Sequence, residues 1–165
     1  MSGDAARVAE QEFEALIGPL VEPGLRLAFS MLGDRAEAED ATQEAITKAW
    51  RKLGTLRDHD QARPWFLAIV ANQCRSVRRT RWFRTVRMPA FFQPTAAPSE
   101  LDRVDIERAL ARLSMGDRQI LFMHYYLDLP IEEIAIALGI SRAAAKGRIY
   151  RACQRLRPGL LEENI

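Results

Sequence analysis

The chain has only two cysteines and two histidines among its 165 residues. Cys74 and Cys153 stand far apart in helical patterns, with no CxxC or other ligand spacing. That spacing argues against a zinc site and a disulfide framework, and it suits a reducing compartment. His59 and His124 are isolated, and no nucleophile–base–acid set or phosphate-cradling glycine loop accompanies them, so enzymatic activity is not expected. No cofactor or metal is expected either. Excess charge of one sign is also missing: 24 Lys and Arg stand against 22 Asp and Glu, so net charge alone names no partner. There is no strand-like alternation of useful length and no internal repeat. A basic-then-apolar leader is absent, and the uninterrupted apolar runs are too short to cross a bilayer. The expectation is a soluble, cytoplasmic, all-α protein without membrane contact of its own.

What the composition hides, the distribution of charge shows. Residues 33–44 are acidic, carrying Asp34, Glu37, Glu39, Asp40 and Glu44. Residues 75–87 carry Arg75, Arg78, Arg79, Arg81, Arg84 and Arg87 with no acid. Residues 142–157 hold Arg142, Lys146, Arg148, Arg151, Arg155 and Arg157. Two separated basic blocks on a nearly neutral chain suggest two contacts with a polyanion. The competing reading of either block is a solvated helix face.

Helical periodicity runs through nearly every patterned segment. Apolar residues from Phe13 to Leu32 form one such segment, which Pro19, Pro23 and Gly24 are expected to divide into two helices. Asp34 is a good N-cap, with Glu37 completing a capping-box-like pair, and the helix it opens runs to about Leu53. Ile46, Ala49, Trp50 and Leu53 form its apolar stripe; Asp40, Gln43, Glu44 and Thr47 lie on the other side. Glu44 and Lys48 are a favourable i,i+4 pair. After a polar loop, Pro64 suits the first turn of a helix ending near Arg81. Phe66, Ile69, Val70 and Val77 form its buried stripe, and Ala68, Asn72, Arg75 and Arg79 share an opposing face. From Phe83 to Pro98 the pattern dissolves into a linker. Within it, Phe91 and Phe92 either dock on a neighbour or are exposed for a partner. The expected architecture is two small helical domains, residues 8–83 and 101–165, joined by a flexible linker over residues 84–100.

The C-terminal domain carries the most informative motif. Val104, Leu110 and Leu113 suggest a short helix. Ser114 caps another that runs to about Tyr126. Ile131, Ile134, Ala135 and Leu138 form the stripe of a two-turn helix behind Pro130. Gly139 permits a left-handed turn, and Ile140 plugs the space between the helices. Ser141 caps a last helix ending near Arg157, before Pro158 and Gly159. Its buried stripe is Ala145, Ile149, Ala152 and Leu156. Rotation by about 100° per residue then turns Ala143, Gly147, Tyr150 and Gln154 outward, flanked by Lys146 and Arg151. Arg148 and Arg155 lean to the sides, toward intramolecular salt bridges. This is the helix–glycine turn–helix of a duplex-DNA reader; the plainer alternative is an αα-hairpin in a bundle.

Three segments together resemble the extracytoplasmic-function sigma factors, the smallest group of the bacterial sigma-70 superfamily. They are GDRAEAEDATQEAITKAWRKL (residues 33–53), RPWFLAIVANQCRSVRRTR (63–81) and LSMGDRQILFMHYYLDLPIEEIAIALGISRAAAKGRIYRACQRLR (113–157). The resemblance implies a promoter-specificity subunit of bacterial RNA polymerase. Its first domain would bind a coiled coil on the polymerase clamp and open the −10 element; its second would read the −35 element as duplex. Asp40, Gln43 and Glu44 match the polymerase-binding pattern. Asn72 matches the asparagine associated with a flipped-out promoter base, with Arg75, Arg78 and Arg79 holding phosphates. The loop 56–60, with His59 and Asp60, either contacts that base or is merely polar. Arg142, Lys146, Gly147, Tyr150 and Arg151 are the expected −35 contacts. Gly147 departs from the serine of many relatives, Pro130 replaces the usual serine, and Trp82 and Phe83 make the linker entry unusually aromatic. The implied partners are core RNA polymerase, promoter DNA and an anti-sigma factor, with a monomer outside the holoenzyme. The alternatives are a stand-alone helix-turn-helix regulator, dimeric on inverted repeats, and a structural adaptor.

Overall fold

The computed structural model describes residues 2–85, 109–110 and 112–161. Regular structure among them is helical throughout. The elements are α1 (Ser2–Leu32), α2 (Arg35–Lys52), α3 (Ala62–Thr85), α4 (Met115–Leu121), α5 (Ile131–Leu138) and α6 (Arg142–Leu161). A π-turn, Phe122–Tyr126, continues α4, and short 3-10 turns at Leu53–Thr55 and His59–Gln61 join α2 to α3.

Helices α1, α2 and α3 pack on one another as an N-terminal unit. The inward face of α2 is made of small residues: Ala38, Ala41, Ala45 and Ala49, with Thr42. The buried Thr42 hydroxyl donates to the Ala38 carbonyl at 2.7 Å, so its polarity is satisfied within the helix. Alanines let two neighbouring helices approach closely, and this displaces the bulky stripe expected on α2. Ile46 and Leu53 are half-buried, while Trp50 is 43% exposed and meets Phe13 edge-on at 5.1 Å. Gly24 serves the same close approach on α1. A Cβ there would lie 2.9 Å from Phe66 Cε1 and 3.3 Å from Val70 Cγ2, so α3 crosses α1 where a side chain has no room.

Three helix boundaries differ from expectation. Pro19 and Pro23 do not divide α1, which is continuous. The prolines are four apart, so both missing N–H groups fall on one side. The carbonyls they leave, of Ala15 and Pro19, belong to exposed residues and can bond water. On the other side, buried Ile17, Leu27, Ala28 and Met31 hold the helix to its neighbours. Helix α3 runs past Arg81 to Thr85, and α6 runs past Pro158 to Leu161. A proline near a helix end forfeits one bond, here to the carbonyl of exposed Gln154. By length and mean hydropathy, the Asp4–Leu32 stretch of α1 would qualify as a membrane span, although no uninterrupted run suggests it. In the fold, one face of this helix is buried against α2 and α3.

The C-terminal unit follows its local signals closely. Ser114 Oγ accepts from Asp117 N at 3.1 Å, and Ser141 Oγ accepts from Ala144 N at 3.1 Å. Gly139 closes α5 with φ +64°, the left-handed cap that glycine adopts without strain. Ala145, Ile149 and Ala152 are buried and Leu156 is half-buried, as the stripe on α6 requires. The short helix expected before Leu113 lies largely outside the described residues, as do Phe91, Phe92 and most of the linker; Ala109 and Leu113 are buried.

The two units are packed together. Helix α5 lies along α3, α4 touches α1, and the buried residues of both units form one continuous cluster. Arg63, at the start of α3, donates from Nη2 to the Leu127 carbonyl at 2.5 Å, and its Nε is 3.8 Å from Glu133 Oε2. Arg26 of α1 donates to the Tyr126 hydroxyl at 3.0 Å. Both cysteines are free thiols. Cys74 is fully buried on α3, and burial pushes its thiol up to about 12.

Candidate nucleic-acid and partner interface

Helix α2 begins as expected. Asp34 Oδ1 accepts from Glu37 N at 2.8 Å, fixing the helix start. The Glu37 carboxylate turns to Arg81 of α3, at 3.1 Å, and so ties the two helices. Asp40, Gln43 and Glu44 are all exposed, and their i, i+3, i+4 spacing puts them on one face. Glu44 Oε1 is 3.9 Å from Lys48 Nζ, the expected pair. The result is an acidic, amide-bearing face turned away from the core.

On α3 the expected residues divide. Asn72, Arg78 and Arg79 are exposed. Arg75 is half-buried and donates from Nη1 to Asn72 Oδ1 at 2.5 Å. Its guanidinium is shifted below the usual range by burial and, secondarily, by the like charge of Arg148 on α6. Arg118 of α4 is shifted the same way, by burial and then by Arg78. The basic face of α3 therefore borders the C-terminal unit, cation against cation, instead of standing wholly free.

Beside Asn72, a cavity of about 340 Å³ opens between α2 and α3. Lys48, Arg51 and Lys52 line it from α2, and Ile69, Asn72, Gln73 and Ser76 from α3. That volume lies at the small end of ligand pockets, roughly 300–1,000 Å³. Sequence reasoning singled out Asn72 but not Lys48, Arg51, Lys52 or Gln73 as its partners. The signal was present as a basic C-terminal turn on α2, which taken alone reads as complement to the helix dipole. Neither His59 nor Asp60 lines the cavity. Asp58 caps their 3-10 turn through Asp60 N at 3.0 Å, and His59 Nε2 is 3.8 Å from Glu12.

The outward face of α6 is as the rotation arithmetic places it. Lys146, Tyr150 and Arg151 are exposed, Tyr150 by 65%. Gly147 makes room for Arg151, whose Nη1 lies 3.2 Å from where a Cβ would stand. Arg142 is engaged by Glu132 of α5 at 2.9 Å. Arg155 makes the expected intramolecular bridge, with both Asp117 oxygens at 2.9 and 2.7 Å. Arg148 lies near Arg75. Among the described residues, no group of three or more His, Cys, Asp or Glu side chains gathers where a metal could sit.

Two family descriptions match the chain in order: sigma-70 region 2 over residues 18–84 and sigma-70 region 4 over residues 103–156. The ECF RNA polymerase sigma factor SigL of Mycobacterium tuberculosis is 33% identical over 148 residues, covering 85% of this chain and 84% of that one. RNA polymerase sigma factor SigV of Bacillus subtilis is 28% identical over 142 residues, covering 85% and 86%. In fold, the chain is similar to the sigma factor RpoE of Bartonella quintana, solved in complex with the anti-sigma factor NepR. That match has TM-score 0.76 and 24% identity, and covers 91% of this chain and 97% of that one. Two sigma-70 regions in this order are not the arrangement of a stand-alone regulator. The chain belongs to the ECF sigma factors, the subunits through which bacterial RNA polymerase initiates transcription at promoters.

Proposed function

We propose that the labour is divided between the units as follows. The N-terminal unit, residues 8–83, binds core polymerase through Asp40, Gln43 and Glu44. It opens the −10 element through Asn72, with Arg75, Arg78 and Arg79 on phosphates. The C-terminal unit, residues 101–165, reads the −35 element as duplex through Arg142, Lys146, Gly147, Tyr150 and Arg151. The observation that carries this reading is the exposed Asn72 beside a base-sized cavity walled by cations of α2. A polar amide can read a base edge there while the cations neutralise the strand. The chain acts without catalysis of its own, in the cytoplasm, and outside the holoenzyme it is a monomer. An anti-sigma factor is a further partner of this reading, by analogy with RpoE and with CnrH, which was solved with the cytosolic domain of CnrY.

Run-off transcription with bacterial core polymerase and genomic DNA tests the whole reading; failure to bind core in low salt sinks it. The split between units is tested by two variants. Arg151→Ala is expected to weaken −35 duplex binding while core binding stays intact. Asn72→Ala is expected to impair strand opening, read by 2-aminopurine fluorescence, more than initial duplex binding. Equal loss of both activities in either variant would mean the residue is structural.

A further inference from the structure

Gly147 sits in the second turn of α6, a helix interior where glycine costs stability relative to alanine. The backbone does not require it, since its φ is not left-handed as that of Gly139 is. Neither does packing, because no helix crosses it as α3 crosses Gly24. The three atoms nearest to a Cβ at 147 all belong to Arg151: Nη1 at 3.2 Å, Cζ and Nη2 at 3.9 Å. The missing methyl group is therefore room for one guanidinium. Helical side chains lean toward the N-terminus, so Arg151 runs back over the preceding turn and brings its fork above the backbone at 147. This leaves Gly147 half-buried on a face where Ala143, Lys146, Tyr150 and Gln154 are exposed. On the same helix Arg142 is held by Glu132 and Arg155 by Asp117. Among the described residues no carboxylate pairs with Arg151.

We infer that Gly147 is a positioning residue for promoter specificity: by leaving room for the Arg151 guanidinium along the helix axis, it directs that fork at a guanine of the −35 duplex instead of at a phosphate. The inference rests on the −35 reading proposed above. In a helix seated in the major groove, base edges are met near the N-terminal end, and phosphates line the flanks. Lying over Gly147 advances the fork toward that end by one turn, about 5.4 Å. Guanine offers N7 and O6 side by side in the major groove, and a guanidinium takes both with parallel donors. No other base offers two acceptors there. A Cβ at 147 would displace the fork by a few tenths of an ångström. By rotation Lys146 and Tyr150 stand to one side of 147, so the displaced fork swings to the other, out of line with the bases. A two-point contact is sensitive to such a shift, whereas a single contact to a phosphate oxygen is not.

The test uses full-length protein in holoenzyme with core polymerase. The probes are promoter duplexes that the wild type selects from a pool randomised across the −35 element, then changed one base pair at a time. At one base pair, the wild type is expected to favour guanine over each other base by on the order of tenfold. Arg151→Ala should remove that preference. Gly147→Ala should lower it to about threefold at that base pair, and preferences elsewhere in the element should stay. Its thermal midpoint should not fall, so the loss cannot be laid to a structural role of the glycine. The double variant should lose no more there than Arg151→Ala does, because both changes act through one contact. The inference is overturned if Gly147→Ala keeps the full preference. It is equally overturned if Gly147→Ala weakens every duplex alike, since the glycine would then serve close approach of the helix to DNA. It fails alone if Arg151→Ala removes the preference and Gly147→Ala does not; if Arg151→Ala alters no base preference, the −35 role of Arg151 falls with it.

Discussion

In the N-terminal unit, helices meet over alanines and a glycine; in the C-terminal unit, helices are fixed at their ends by Ser114, Gly139 and Ser141. The first arrangement depends on shape. Gly24 faces Phe66 and Val70 with no spare volume, and α2 contributes almost nothing bulky to the core. The second depends on local chemistry: each cap is a named hydrogen bond or a left-handed residue within a few positions of the helix it ends. The difference decides where each unit keeps its functional groups. In the first unit, α2 presents an acidic face at one side and three cations to a cavity at another. In the second unit, the outward face of α6 carries exposed Lys146, Tyr150 and Arg151, the residues proposed to meet the −35 element.

The largest test of the contrast is Phe66→Ala. Phe66 is fully buried at the crossing of α1 and α3, and its truncation should cost about 3–5 kcal/mol. Because both units share one core, chemical denaturation followed by far-UV circular dichroism and by tryptophan fluorescence should give coincident transitions. Trp50 and Trp65 report on the N-terminal unit alone, so separate transitions would break the picture of a common core and restore two independent domains. A smaller effect is expected from Gly24→Ala, an overpacking change worth about 1–3 kcal/mol of destabilisation and measured as a fall in thermal midpoint. An unchanged midpoint would show that α1 and α3 can separate freely at their crossing. The smallest effect has the opposite sign. Gly147→Ala should stabilise α6 by up to roughly 1 kcal/mol, because its new Cβ meets only the movable end of Arg151. A loss of stability there would show that Arg151 is structural and not merely resting on the helix.

The same contrast explains what was legible in the sequence. Caps, the glycine turn and the amphipathic stripe of α6 are local signals, so the C-terminal unit could be laid out residue by residue, including the outward set Lys146, Gly147, Tyr150 and Arg151. The N-terminal unit was legible as helices but not as a core. The expected stripe was Ile46, Ala49, Trp50 and Leu53, of which Ala49 is buried; close packing also selects Ala38, Ala41 and Ala45, a preference that exists only once two other helices are in place. The prolines of α1 misled for a related reason: their cost depends on whether the orphaned carbonyls face water. The face of α2 proposed to bind polymerase was picked out by a family pattern alone, since an exposed Asp–Gln–Glu set carries no chemistry that distinguishes it from a solvated surface. The cavity partners Lys48 and Gln73 lie 25 residues apart and could be joined only by the fold.

The packing of α5 along α3, held at its end by Arg63, acts as a thermodynamic toll on any ligand that needs the two units apart. A partner that needs Arg75 and Arg148 apart binds only the fraction of molecules in which the units have separated, and its apparent dissociation constant rises by the inverse of that fraction. Each increment of closure worth about 1.4 kcal/mol weakens such a partner tenfold. A partner that seats on the closed form pays nothing, and by linkage it draws the population further from the open one. Weakening the Arg63 contact would therefore tighten binding of the first kind and loosen the second, with no change to any surface that either partner touches.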